Sequence, residues 1–304
     1  MNQKHLLKLL DWSTEDMLEV LDLADKLKAE TKAGVPHPIL AGKTLAMIFT
    51  KSSTRTRVSF ETGMYQLGGH ALFLSSRDLQ IGRGEPVQDT ARVLSRYCSG
   101  IMIRTFKQQE VEDLAKFGSI PVINGLTDDF HPCQVLADLM TCREYLGKDL
   151  SGKKLCFIGD GFNMANSLTV GGLKLGMNVT IACPKGHKLH EDVLAYAKTC
   201  GSRFTFTNDP TEAADKADAV FTDVWASMGQ EEEQKEREKQ FAGFCVDDAF
   251  MAKTNKGAIV QHCLPAHRGE EITEKVFEAH ANEIFDEAEN RLHAQKAVMA
   301  SLMK

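Results

Sequence analysis

Short apolar runs alternate with longer amphipathic stretches along most of this chain. Strand-like runs are Thr44–Phe49 (TLAMIF), His70–Leu74, Ile101–Arg104 and Pro121–Asn124. Each is followed by a stretch with helical character: Val58–Leu67, closed by Gly68 and Gly69, then Pro86–Cys98, Gln109–Phe117 and Pro132–Leu146. Proline at the head of two of these helices suits a first helical position, where a missing N–H costs nothing. Ahead of them, Ser13 and Asp16 approximate a capping box, with Trp12 and Met17 placed to staple across it. Met17, Val20, Leu21, Ala24 and Leu27 then recur at helical spacing, so one face of that first helix is buried. Strands alternating with helices predict parallel sheets built from βαβ units.

The stretch Leu146–Lys154 (LGKDLSGKK) is polar, carries two glycines and is the natural break between domains. Beyond it the alternation restarts, with KLCFIG, NVTIAC, RFTFTN, AVFTDV and AIVQHC as strands. A last helix is predicted from Asp286 to about Met303, with Ala288, Leu292, Ala294, Val298 and Leu302 as its apolar stripe. The charge run Glu231–Gln240 reads as a solvated helix face. The pattern therefore predicts an α/β fold of two doubly wound parallel-sheet domains. Such sheets bind ligands at the carboxyl ends of their strands, and two of them make a cleft.

Composition narrows the class without naming it. A chain of 304 residues that is 43% hydrophobic and 26% charged fits two medium globular domains. A formal net charge of -6 argues against nonspecific nucleic-acid binding, yet leaves room for a local basic pocket. The N-terminal stretch lacks a signal-peptide pattern, and no run approaches the ~20 apolar residues that span a bilayer. The eight cysteines form no C-x-x-C pair and are expected as reduced thiols in a cytoplasmic protein. No metal site is expected, because His131 and Cys133 lack a second pair of ligands.

Candidate chemistry sits where strands end. Ser52-Ser53-Thr54-Arg55-Thr56-Arg57 lies between the first strand and the next helix. A helix N-terminus offers unpaired N–H groups and a positive dipole end, the hydroxyls add donors, and Arg55 adds a fork suited to phosphate. Arg57 stands four before Glu61 and is assigned to an ion pair. Arg104 ends the strand IMIR and faces the same crevice. His131-Pro132-Cys133-Gln134 opens a helix, so His131 can donate to a developing oxyanion and the Gln134 amide can read an NH2 or carbonyl. Each alone has a plainer reading as a cap or surface charge; their shared sheet edge favours a site.

In the second half, Gly159–Met164 (GDGFNM) follows a strand but fails the G-x-G-x-x-G dinucleotide pattern, which disfavours a nicotinamide-dependent dehydrogenase. Asp223, with the Ser227-Met228-Gly229 loop, can hold an amino-acid head group. His262 and Cys263 alternate on their strand and point to opposite faces, so His262 is not placed to activate Cys263, and a cysteine hydrolase is disfavoured. Arg291 lies in the last helix, where a solvated arginine is the ordinary expectation.

The order S-T-R-T-R, H-P-C-Q, D-V-W-x-S-M-G, H-C-L-P and A-E-N-R, spread over nearly the whole chain, resembles the aspartate/ornithine carbamoyltransferase family, and its second-domain motifs resemble the ornithine branch. The resemblance implies a carbamoyl phosphate domain over 1–147, an L-ornithine domain over 148–285, and a C-terminal helix, 286–304, returning to the first. It implies that Ser53, Thr54, Arg55 and Thr56 bind the phosphate, that Arg104, His131 and Gln134 act on the carbamoyl group and phosphate, and that Arg291 assists. Gln80 matches a loop reaching a neighbouring subunit's site. Asn163, Asp223, Ser227 and Met228 would hold ornithine, and Cys263 and Leu264 would line the reaction point, with Arg104, His131, Gln134, Asp223 and Cys263 as the catalytic set. It further implies a homotrimer, no cofactor, and the making of L-citrulline, most naturally in arginine biosynthesis. Putrescine carbamoyltransferases resemble the chain in fewer of these motifs.

Overall fold

The computed structural model describes residues 3–226 and 234–304, which divide into two compact units: Met1–Ala137 with Glu289–Lys304, and Asp138–Ala288. In the first unit a capping box closes α1 (Thr14–Lys32): Ser13 Oγ accepts from the Asp16 N–H at 3.0 Å and the Asp16 side chain accepts from the Ser13 N–H at 3.4 Å. Then come β1 (Thr44–Phe49), α2 (Thr54–Gln66), β2 (His70–Ser75), α3 (Val87–Tyr97), β3 (Gly100–Arg104), α4 (Gln108–Phe117), β4 (Val122–Leu126) and α5 (Pro132–Leu146). The strands pair in parallel in the order β2-β1-β3-β4. Ala46, Ile48, Ile101, Ile103 and Val122 from three of these strands pack with Ala91, Val111 and Leu114 from α3 and α4.

The second unit repeats the plan with β5 (Lys154–Ile158), α6 (Asn163–Lys174), β6 (Asn178–Ala182), α7 (Glu191–Thr199), β7 (Phe204–Thr207), α8 (Pro210–Ala214) and β8 (Ala219–Thr222). It continues through α9 (Gln234–Gln240), α10 (Asp248–Met251), β9 (Ile259–His262), α11 (Glu274–Ala279) and α12 (Ala281–Met303). Its parallel order is β7-β6-β5-β8-β9. A packed cluster of Ile158, Val220, Val260, Phe241, Phe250 and Phe277 fills one side. Among the described residues no helix is long and apolar enough to cross a membrane, and all eight cysteines are free thiols.

Both strand orders reverse direction once. In the first sheet the chain leaves β1 to one side for β2 and to the other for β3, so the switch falls between β1 and β3. In the second it falls between β5 and β8. Open α/β sheets bind their ligands at such switches, outside the carboxyl ends of the strands.

Several expectations shift in detail. Pro86 caps α3 from outside, with φ −61° and ψ 138°, and the helix begins one residue later. The last helix begins at Ala281, ahead of Asp286, because nothing between the two positions breaks a helix. Separately, the chain passes between the two compact units within α5 and again within α12. The solvated-face reading of 231–240 fails at Arg237, which is buried: it donates to the Trp225 carbonyl and pairs with Asp160. A long side chain on a polar helix was turned inward by a half-buried carboxylate several strands away along the chain, which no charge pattern within the run encodes.

Candidate active site

At the first switch, β1 ends into the N-terminus of α2. Ser53 is the N-cap; its hydroxyl oxygen accepts from the Thr56 N–H at 3.2 Å, while its own hydroxyl donates to Thr56 Oγ1 at 3.1 Å. One orphan N–H of the helix start is thereby satisfied; the turn around Thr54 and Arg55 remains at the positive end of the dipole. Thr50 binds this edge to the end of β3, its N–H reaching the Arg104 carbonyl at 2.9 Å and its hydroxyl the same oxygen at 3.2 Å. Arg104 itself is buried, as are Thr56, His131 and Gln134. Arg57 takes the other role, pairing with Glu61 at 3.1 Å and lying 3.6 Å over the Phe73 ring.

His131 precedes Pro132, the first residue of α5, and its carbonyl accepts from the N–H of Gln134 at 3.2 Å and of Val135 at 3.3 Å. Arg291 of α12 is buried and reaches Gln134 Oε1 at 2.5 Å and Thr56 Oγ1 at 3.3 Å. Burial, then the positive charges of Arg291, Arg104 and Arg55, hold the His131 imidazole well below its ordinary range. So three guanidinium groups and a neutral imidazole converge, and the centre is built to receive negative charge. Burial also pushes the Cys133 thiol up to about 12, against the opposing pull of Arg291. Gln80 stands apart: it is exposed and opens a short 3-10 turn, Gln80–Arg83.

At the second switch, the turn after β5 passes so close to Lys188 that a Cβ on Gly161 would meet its carbonyl oxygen at 2.5 Å. The turn then delivers buried Asn163 as the first residue of α6. Across the switch, Asp223 follows β8, and Cys263 donates its thiol proton to Asp223 Oδ1 at 3.1 Å. Burial raises the Asp223 carboxyl, against the pull of His262 and the hydrogen bond from Cys263. Burial and then the nearby Asp223, Glu287 and Asp138 carboxylates push the Cys263 thiol well above its ordinary range. Cys263 is thus a neutral thiol, which removes the reactive thiolate a cysteine hydrolase needs.

The turn carrying Cys263 and Leu264 is fixed by groups the motifs do not name. His262 is fully buried, its Nε2 at 3.0 Å from Glu271 Oε1 and its Nδ1 accepting from the Leu264 N–H at 2.9 Å. The His262 N–H donates to Glu287 Oε2 at 2.8 Å, and the His267 N–H to Glu271 Oε1 at 2.6 Å. Leu264 is held at φ +58°, a region side chains rarely adopt. Asp223, His262 and Cys263 bring ligand atoms within 4.8 Å of one another, but each is already engaged in the hydrogen bonds just described. Ser227 and Met228 lie outside the described residues.

Sequence reasoning missed Glu271, Glu287, Asp160 and Arg237, whose roles depend on contacts distant along the chain. One partner was within reach of pattern: Gln295 stands one helical turn after Arg291, and its Oε1 accepts from Arg291 Nη2 at 2.8 Å and Nε at 3.0 Å.

The first switch thus gathers positive charge around a neutral imidazole, and the second joins a carboxylate to a thiol. Residues 4–144 match the family model described as aspartate/ornithine carbamoyltransferase, carbamoyl-P binding domain, and residues 151–302 match its Asp/Orn binding domain. An ornithine carbamoyltransferase of Syntrophotalea carbinolica is 56% identical over 301 residues, covering 99% of this chain and 99% of its own. Among solved structures, an ornithine carbamoyltransferase from Pyrococcus furiosus superposes with a TM-score of 0.94 at 49% identity, over 99% of this chain and 97% of its own. An anabolic ornithine carbamoyltransferase from Campylobacter jejuni superposes at 0.92 with 43% identity, over 99% of both. The chain belongs to the aspartate/ornithine carbamoyltransferase family.

Proposed function

We propose that this chain moves the carbamoyl group of carbamoyl phosphate to the δ-amine of L-ornithine, giving L-citrulline and phosphate. The observation that carries this reading is the convergence of Arg55, Arg104 and Arg291 on a neutral His131 at the first switch, in a chain related along its whole length to enzymes of that name. Ser53, Thr54, Arg55 and Thr56 receive the phosphate at the start of α2, with Arg291 adding charge from α12. Arg104, His131 and Gln134 take the carbamoyl group. A neutral imidazole donates one N–H to the developing oxyanion, and Arg104 supplies the balancing charge. Asn163, Asp223, Ser227 and Met228 hold ornithine's α-amino and carboxylate groups, while Cys263 and Leu264 line the reaction point.

The chemistry is a displacement. The lone pair of the neutral δ-nitrogen attacks the carbamoyl carbon, the C–N bond forms and a tetrahedral oxyanion develops. Its collapse breaks the C–O bond to phosphate, and the departing phosphate takes the extra proton from the nitrogen. Holding two reactants together and stabilising the oxyanion suffices, so the scheme uses no cofactor.

We place the enzyme in arginine biosynthesis in the cytoplasm, as a homotrimer with sites shared between subunits. The anabolic relative supports the first point. For the trimer, β2 is an edge strand with Leu72 and Phe73 exposed, and Val58 and Tyr65, seven apart on α2, are exposed too. Exposed apolar side chains on an edge strand and on α2, the helix packed against it, suit a partner subunit, and Gln80 stands exposed, as a residue serving a neighbour must. The test is to supply carbamoyl phosphate with ornithine, putrescine, aspartate or acetylornithine and measure the carbamoylated product. Citrulline should dominate by orders of magnitude; equal product from putrescine would overturn the substrate, and no product from any amine would overturn the reaction.

A further inference from the structure

Helix α12 lies unusually close to α2, because a Cβ on Gly63 would meet Met299 Cε at 2.9 Å and Lys296 Cγ at 3.2 Å. That approach lets Arg291 reach Thr56, and it brings fully buried Gln295 to Ser59, its Nε2 donating to Ser59 Oγ at 2.6 Å. The polarity of the resulting chain is fixed from one end. A guanidinium has donors only, so the Gln295 atom that takes two Arg291 N–H groups, at 2.8 and 3.0 Å, must be its oxygen. The amide NH2 must then face Ser59, whose oxygen accepts it, and the Ser59 hydroxyl donates onward to the Arg55 carbonyl at 2.6 Å. The same rule turns the Gln134 oxygen toward Arg291 and leaves its NH2 to point elsewhere.

We infer that Gln295 is a positioning residue for the anion site: it sets the Arg291 guanidinium, and ties it to the first turn of α2 at Arg55, so that both arginines meet carbamoyl phosphate in one prearranged geometry. The inference rests on the phosphate reading of the site given above. Without this acceptor the guanidinium keeps Gln134 and Thr56 but loses the oxygen that takes its Nε and Nη2, and the ligand must supply that part of its order at the expense of affinity. A neutral amide matters as much as its reach, since it orients Arg291 without cancelling its charge.

Two substitutions separate positioning from mere packing. Gln295→Leu removes the acceptor. Gln295→Glu keeps an oxygen on Arg291 and the helix contact, but offsets the guanidinium charge and turns the Ser59 hydroxyl away from Arg55. In calorimetric titrations with carbamoyl phosphate and with inorganic phosphate, both variants should bind about tenfold more weakly, the worth of one charge-assisted hydrogen bond. Gln295→Glu should do so with an unchanged Tm and with an unchanged ornithine KM at saturating carbamoyl phosphate. Arg55→Ala, run alongside, reports on the phosphate reading itself. Should Gln295→Glu bind both ligands as tightly as the parent while Arg55→Ala loses them, Gln295 is packing only and the inference is overturned. Should Arg55→Ala also bind normally, the phosphate reading fails and takes the inference with it. Gln295→Glu decides the matter even where Gln295→Leu does not fold.

Discussion

The two units share one architecture and carry opposite chemistry at equivalent places. In each, a central strand feeds neighbours to both sides, and the candidate residues sit beyond the strand ends at the reversal. The first unit fills that place with Arg55, Arg104, Arg291 and a histidine kept neutral by burial and then by their charge. The second fills it with Asp223 and with Cys263, whose thiol is held protonated by burial and neighbouring carboxylates. The fold thus supplies a location, and side chains at strand ends decide which charge that location attracts. On the proposed reading, the same scaffold is used twice, once for an anion and once for an amine.

The largest effect should come from removing the part of the amine substrate that the second unit is built to hold. Putrescine lacks ornithine's carboxylate and would leave polar groups unpaired; a site built on hydrogen bonds rejects such analogues by about 10⁴-fold or more. Competition measurements of kcat/KM should show that preference, and comparable turnover would break the assignment of the second switch to an amino-acid head group. Asp223→Asn comes next, at about 2–5 kcal/mol of transition-state binding, a loss of roughly 30-fold to several thousandfold in kcat/KM for ornithine. A loss below about threefold would remove Asp223 from the site.

The first unit's two adjacent arginines sharpen the comparison further. Arg55→Ala should weaken carbamoyl phosphate binding at least about tenfold. Arg57→Ala breaks an exposed pair with Glu61, 46% and 37% exposed, and should leave binding within about twofold. Equal losses would mean the two side chains share the ligand.

Acid should act on the units with opposite sign. His131 is held well below 6.5, and burial lowers His5 and His293 to about 4. All three lie in the first unit. Between their folded and unfolded values the unfolded chain binds more protons, so this contribution is present above pH ~6.5 and is lost as pH falls toward 4. Asp223 in the second unit is raised, so its contribution runs the other way and disfavours the fold as pH rises through its folded value. Hydrogen exchange between pH 7.5 and 5 should show amide protection falling first around α5 and α12 near Arg291, ahead of β8. Loss of protection in β8 first would contradict the charge assignment.

Much of this was legible in the sequence. TLAMIF and its successors alternate with amphipathic runs, and β1 and α5 emerge with the predicted bounds because apolar content and a leading proline are local signals. Ser53 and Arg55 were legible for the same reason, being set by a helix start. What was not legible depends on the tertiary fold. Nothing near Glu271 announces that His262 will be buried against it, and Arg237 lies in a run whose composition reads as solvent-facing. Arg291 was expected in solvent on its own merits, and only its motif placed it in the site. Its partner Gln295 stands one helical turn on, and that spacing was the one local signal that could have found it.

If separate units handle anion and amine, carbamoyl phosphate titrated into Arg55→Ala and Asp223→Asn should tell the two variants apart. Asp223→Asn should bind carbamoyl phosphate with the parent's Kd, while Arg55→Ala, folded by its Tm, should lose at least about tenfold. Equal weakening in both variants would contradict that separation.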